Sequence, residues 1–297
     1  MRIGIAIDLH GPAREADEVG WAAVRAQALA AERAGLDLVV LPDHLAYRPG
    51  GSDGYSLPDE SVGVRESFTF LAAIGAMTTT IGIGHSVVNA PYRTPAMTAH
   101  LAASLAEIAG GRYSLGIGVG NSFDYDQLGV AADHRVARFE ECVRVVAALM
   151  RDGTADLDGE YWSAHRAELT LRPGPDLRPP IVVAAGGPRT MRVAVAHADV
   201  WNGWCPTDPD DPTAPDLLAL LDDACTEAGR DPTTIGRSFD LGVDPLDRRG
   251  ARARTVETLQ RLAALGADEV RCYAVCDPSS ADRLAAIDAL AELSSEL

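Results

Sequence analysis

Short runs of β-branched residues alternate with alanine-rich stretches from one end of this 297-residue chain to the other. The runs start near Ile3, Leu36, Ile81, Tyr113, Ile181, Val200, Ser238 and Glu269, and a stretch of helical periodicity follows each. Eight strand–helix units in series predict an α/β chain folded as a (β/α)8 TIM barrel. In the first helix Trp21, Val24, Ala28 and Ala31 form one apolar stripe, and in the fourth Val136, Phe139, Val143, Val146 and Met150 do the same. The third has Thr94 as N-cap, Pro95 at the first helical position and Gly110-Gly111 as the stop. Its stripe of Met97, Leu101, Leu105 and Ile108 is predicted to face the sheet. A barrel of this kind takes about 250 residues. The surplus falls into insertions after strands 2 and 4, at 43–66 and 152–179, and 1–297 reads as one domain.

Charge narrows the function. Lys plus Arg number 26 against 43 Asp plus Glu, a formal charge of −17 that repels phosphate backbones and anionic membrane surfaces. Nucleic acid and membrane are therefore not expected partners. No apolar run approaches the roughly 18 residues of a spanning helix, and Asp8 interrupts the N-terminus where a signal peptide stays apolar. A cytoplasmic protein is expected. Five cysteines (Cys142, Cys205, Cys225, Cys272, Cys276) form no Cys-x-x-Cys pair, so neither a disulfide framework nor a zinc knuckle is indicated.

In a TIM barrel the chemistry lies at the C-terminal ends of the strands. Those ends offer Asp8 and His10, Asp43 and His44, His85, Ser86 and Asn89, Asn121 and Ser122, Gly186-Gly187-Pro188, Trp201, Asn202 and Trp204, Asp240 and Asp244, and Tyr273. Three histidines with Asp8 and Asp43 could be a metal site, but strands 4 to 6 supply Asn, Gly and Trp where ligands are wanted. Strand alternation also points His85 and Ser86 to opposite faces. Gly186-Gly187-Pro188 opens a helix and reads equally as an anion site or as a tight turn. The run Leu115-Gly116-Ile117-Gly118-Val119-Gly120 puts three glycines on one face of a strand, where something flat or bulky can lie.

Several segments together resemble the bacterial-luciferase-like family of flavin- and deazaflavin-dependent oxidoreductases. They are Glu32-Arg33-Ala34-Gly35-Leu36-Asp37, Asp43-His44, Pro91-Tyr92-Arg93-Thr94-Pro95, Gly110-Gly111-Arg112 running into the glycine strand, Pro180-Ile181 through Pro188, and Ala198-Asp199-Val200-Trp201. The likeness is nearer to the branch using coenzyme F420. It implies a deazaflavin across the barrel mouth, its phosphate on the Gly186-Gly187 turn and its ring against strands three and four. The implied cofactor residues are Asp43, Ser86, Val87, Gly118, Gly120, Asn121, Ala185, Gly186 and Gly187, with a non-prolyl cis peptide at Ser86-Val87. His44 is the implied proton-transfer residue, with His10 next in line. An imidazole titrates in the range such a step needs, although His44 could equally cap a helix or bond within the rim.

The implied activity is hydride transfer between coenzyme F420 and a small alcohol, carbonyl compound or activated alkene. The alternatives are a monooxygenase using reduced FMN from a separate reductase, and a non-catalytic flavin-binding barrel. Relatives that oxidise sugar phosphates carry an acid where this chain has Asn121, which argues against that reaction. Trp162, Trp201, Trp204 and Tyr273 could line an aromatic substrate pocket or belong to the core. Relatives of this size also imply a homodimer.

Overall fold

In the computed structural model, residues 1–47, 62–121, 125–247, 250–274 and 280–297 are described. Eight parallel strands close on themselves in chain order: β1 (Arg2–Ala6), β2 (Leu38–Leu41), β3 (Gly82–His85), β4 (Tyr113–Gly118), β5 (Ile181–Ala184), β6 (Val200–Cys205), β7 (Gly236–Val243) and β8 (Glu269–Ala274). β4 pairs with β5 and β8 with β1, which completes the ring. The surrounding helices are α1 (Trp21–Ala34), α2 (Ser67–Met77), α3 (Pro95–Ile108), α4 (Arg135–Asp152), α5 (Pro188–His197), α6 (Thr213–Ala228), α7 (Arg252–Ala264) and α8 (Ser280–Ser294). This is the expected (β/α)8 barrel.

Several of the motifs that carried the resemblance are anchors at the N-terminal ends of strands. Glu32 Oε1 accepts the backbone N–H groups of Thr79, Thr80 and Ile81. Burial would push that carboxyl up, but the amide hydrogen bonds outweigh it and hold it at about 2. Arg112 donates to the carbonyls of Gly75, Thr78 and Ile81, tying the end of α2 to the start of β3. Asp199 accepts from Ile181 N at 2.8 Å and pairs with Arg178 and Arg151. These groups satisfy main-chain donors and acceptors that the sheet and helices leave open, so their role is architectural.

Thr94 caps α3 through Met97 N, as its position predicts, and Gly110 and Gly111 stop it with φ of +59° and +83°. The face presented to the barrel differs from the expected one. Thr98, Ala99, Ala102, Ala103, Leu105 and Ala106 are buried, whereas Met97 and Ile108 remain 53% and 47% exposed. Of the four expected residues only Leu105 is buried; its companions on the barrel face are mostly alanines, whose small side chains let the helix axis approach the strands.

The insertion after β2 contributes Ala46–Tyr47 and Val62–Val64, which pair antiparallel with each other. Val62–Val64 pairs in turn with His10–Gly11 from the loop after β1. The second insertion leaves the chain after α4, not directly after β4. It forms an antiparallel hairpin, Thr154–Asp158 with Ser163–Glu168, that packs along α4.

Inside the barrel the filling is asymmetric. β1 to β4 turn inward the apolar Ala6, Leu38 and Val40, which pack against Tyr273, together with Gly4, Gly82, Gly84 and Ser114, and a side chain on any of these three glycines would strike a neighbouring strand within about 3 Å. β6 to β8 turn in Asn202, Ser238, Asp240, Glu269, Arg271 and Tyr273, which bond to one another. Arg271 is 1% exposed and Glu269 3%, a buried ion pair at 2.7 Å.

Candidate functional site

The end of β2 is built around Asp43. Its side chain is fully buried, and four donors converge on it: Ser67 Oγ at 2.8 Å, Asn89 N at 3.0 Å, and the two terminal nitrogens of Arg93 at 2.7 and 3.1 Å. Burial pushes this carboxyl up, but Arg93 outweighs it and keeps Asp43 below the ordinary aspartate value. Arg93 also reaches Glu66 at 2.9 Å and lies 4.7 Å over the Phe68 ring. The Asp-His and Pro-Tyr-Arg-Thr-Pro segments are thus the two halves of one clamp. Both oxygens of Asp43, one of the expected cofactor residues, accept from protein donors beneath the rim.

His85 continues the network outward. Its ring nitrogens lie 2.9 Å from Tyr113 Oη and 3.2 Å from Ser67 Oγ. Burial depresses its pKa to about 4, against the attraction of Asp43, so the ring is neutral at pH 7. It occupies the layer between barrel and helices while Ser86 points into the barrel, as strand alternation requires. His85 therefore does not join His10 and His44 at the mouth. Among the described residues, no three His, Cys, Asp or Glu converge as a metal cage.

The clamp places His44, the next residue, at the end of β2, where it is partly exposed with Nδ1 buried. Asn89 N reaching Asp43 stitches this loop to the segment after β3. In that segment the Ser86–Val87 peptide is cis, as the resemblance implied. Ser86 is held at every polar atom: N to the Leu41 carbonyl at 3.0 Å, Oγ to Asp240 at 2.9 and 3.1 Å, and the carbonyl accepting from Tyr273 Oη at 2.9 Å.

The glycine face of β4 receives this same segment. A Cβ at Gly116 would lie 2.0 Å from the His85 carbonyl oxygen, and one at Gly118 would lie 2.6 Å from Val87 Cγ2. At Gly120, φ is +79° and a Cβ would meet the Asn89 side chain and Tyr125 Oη. What lies against the three glycines is protein. Gly118 and Gly120 are therefore backing for the Ser86–Asn89 segment, and Asn121 follows at the partly exposed edge of the described chain. Ser122 and Cys276 lie outside the described residues.

Across the mouth, Ala185 N donates to the Asn202 carbonyl, and Gly187 is the N-cap of α5. A side chain would meet nothing within 4 Å at Gly186 or Gly187. Gly187 N is taken by Thr190 Oγ1, and Pro188 has no N–H. The following first-turn amides have no intrahelical acceptor, so open space and free donors coincide there.

The expected aromatic pocket does not assemble. Trp201 is fully buried, donates to the Ala185 carbonyl and packs edge-on against Phe239. Trp162 lies on α4 with its indole N–H on the Arg138 carbonyl, and the backbone N–H groups of residues 160 to 162 all point at Glu141. Trp204 is 61% exposed. Tyr273 alone of the four reaches the mouth network. Sequence position had marked Asp240 and Tyr273 as strand-end polar residues but could not single them out, and Ser67, Glu66 and Arg271 were missed altogether. Only the preceding strand register of β8 could have flagged Arg271, as a charge at an inward position.

The family model described as luciferase-like monooxygenase matches residues 1–269. The chain belongs to this family. Among family relatives it is similar to an F420-dependent glucose-6-phosphate dehydrogenase of Nakamurella multipartita, 30% identical over 91% of this chain and 76% of that one. The fold is shared with an F420-dependent secondary alcohol dehydrogenase solved with an F420–acetone adduct (TM-score 0.77, 18% identity, 98% and 97% of the two chains covered). It is shared equally with a monooxygenase from Streptomyces bottropensis (TM-score 0.75, 19% identity, 100% and 99% covered). The chain is an oxidoreductase of the luciferase-like class, whose members use F420 or FMN. No helix among the described residues is long and apolar enough to cross a membrane.

Proposed function

We propose that the protein transfers a hydride between coenzyme F420 and a small alcohol, carbonyl compound or activated alkene, with His44 moving the accompanying proton. The observation that carries this reading is the double use of Asp43, the residue before His44, which is itself held by Arg93 and, by accepting from Asn89 N, ties down the segment that follows Ser86 and Val87. A proton-transfer group and a candidate ring platform are thereby held at adjoining strand ends.

The donor set fits an anionic, flat cofactor. Gly186 and Gly187 leave open space at the N-terminus of α5, where a phosphate would be met by first-turn amides. Val87, partly exposed between the glycine strand and the mouth, offers an apolar surface for a ring. When bound, the deazaflavin supplies or accepts the hydride. With Nδ1 of His44 buried, Nε2 is the nitrogen assigned to take up or return the substrate proton. The same reading includes a homodimer, supported by the apolar outer face of α3 at Met97 and Ile108, and small-molecule turnover without nucleic acid or membrane.

Fluorescence titration of the apoprotein with F420 and with FMN tests the cofactor. Saturable quenching by F420 at lower concentration than by FMN supports the proposal. Submicromolar FMN binding with no response to F420 would replace it by the reduced-FMN monooxygenase reading. Light scattering reporting a 31.3 kDa particle would remove the dimer.

A further inference from the structure

β3 and β7 lie on opposite sides of the eight-stranded ring, yet their side chains meet. Ser86 Oγ donates to Asp240, which also accepts from Asn202 Nδ2 at 3.1 Å. Tyr273 Oη, from β8, donates to the Ser86 carbonyl at 2.9 Å and lies 3.4 Å from Asp240 Oδ2. Arg271 adds a contact to Ser86 Oγ at 3.3 Å, while its Nε stays with Glu269. On the near side the inward neighbours Gly84, Ser114, Gly116 and Gly118 are small, and Ala6, Leu38 and Val40 pack as an apolar cluster against Tyr273. Val87 then has its methyl groups against Gly116 and Gly118, leaving one partly exposed edge.

We propose that Tyr273 and Asp240 are positioning residues that hold Ser86 from across the barrel, so that Val87 presents a fixed surface to the cofactor ring. The assignment rests on the cofactor reading given above. Neither residue needs to touch the cofactor or the reacting atoms. Burial, followed by the charge of Asp240, pushes the Tyr273 phenol well above its ordinary value, so it remains a hydrogen donor at neutral pH. Asp240 accepts the Ser86 hydroxyl proton through either oxygen, and an amide oxygen at this position could do the same.

The test compares Tyr273→Phe, Asp240→Asn, Asp240→Ala and wild type in three measurements: the dissociation constant for F420, the absorption spectrum of the bound cofactor, and the melting temperature. Tyr273→Phe removes one hydrogen bond and should weaken F420 binding about three- to ten-fold. It should also shift the bound spectrum while lowering the melting temperature by only about 2–4 °C. Asp240→Asn should bind nearly as wild type and Asp240→Ala should not. Ser86→Ala loosens the same joint and serves if Tyr273→Phe does not fold. Wild-type affinity and spectrum in Tyr273→Phe and Asp240→Ala would overturn the assignment, as would equal losses in the Asn and Ala variants. Failure of the wild-type protein to bind F420 would overturn the cofactor reading first and this assignment with it.

Discussion

Replacing Arg93 by Met tests the clamp at the end of β2. The substitution keeps much of the aliphatic stem over Phe68 but removes the guanidinium that holds Asp43 at 2.7 and 3.1 Å and Glu66 at 2.9 Å. Asp43 would remain wholly buried with two donors, Ser67 Oγ and Asn89 N. Breaking a buried ion pair on one side costs about 3–5 kcal/mol. At about 2–4 °C per kcal/mol, the melting temperature should fall by roughly 6–20 °C at pH 7. The sign with pH follows from the two directions of shift. In the wild type the Asp43 pKa is lowered, so its contribution is present above the unfolded value and is lost as pH falls through the folded one. In the variant burial is opposed only by the Ser67 and Asn89 hydrogen bonds, so the Asp43 pKa rises relative to the wild type and acid relieves the buried charge. The difference between the two proteins should therefore be largest near neutrality and shrink as pH falls below about 5. Differential scanning fluorimetry across that range checks it, and Asp43→Asn in the Arg93→Met background should recover part of the loss. A variant melting within about 2 °C of wild type at pH 7 would refute the clamp as a stabilising element.

Three further outcomes follow from the same geometry. His44→Ala should lose about 10²–10⁴-fold in turnover while F420 affinity, set elsewhere, is nearly unchanged, and steady-state kinetics beside the cofactor titration separate the two. Gly116→Ala should destabilise by at least about 1–3 kcal/mol, because its methyl would sit 2.0 Å from a main-chain carbonyl, and denaturant unfolding measures this. His85, with its pKa lowered to about 4, adds stability above the ordinary histidine value that is lost as pH falls from about 6.5 toward 4; His85→Phe should flatten that part of a stability–pH profile.

Strand order and the helix ends were legible because they depend on short-range signals: β-branched runs, a threonine cap, a proline, a pair of glycines. The face of α3 was not, since ranking by hydrophobicity favoured Met97 and Ile108 while close approach to the strands required Ala99, Ala102 and Ala106. The catalytic candidate and the cofactor turn were reached through resemblance, because no local pattern distinguishes His44 from His10 or His85. What separates them is tertiary: His85 ends between Tyr113 and Ser67, and Asp43 ends under Arg93. The network from Glu269 to Ser86 joins residues more than 180 positions apart and leaves no periodic trace.

The turn at residues 159–162 is attached to α4 through main-chain amides that converge on Glu141, with the Trp162 indole as its main side-chain anchor. Residue 160 is exposed, and beyond its amide its side chain reaches only the neighbouring Tyr161, so its identity is free to change, whereas Gly159 must stay because a side chain would press on Glu141. That freedom makes position 160 an attachment point for a fluorophore. A cysteine there would react ahead of Cys142, Cys205 and Cys272, which are buried with thiols pushed up to about 12. Cys225 is buried as well, so with Cys276 changed to serine a single dye could report on the rim from a loop whose packing the label leaves intact.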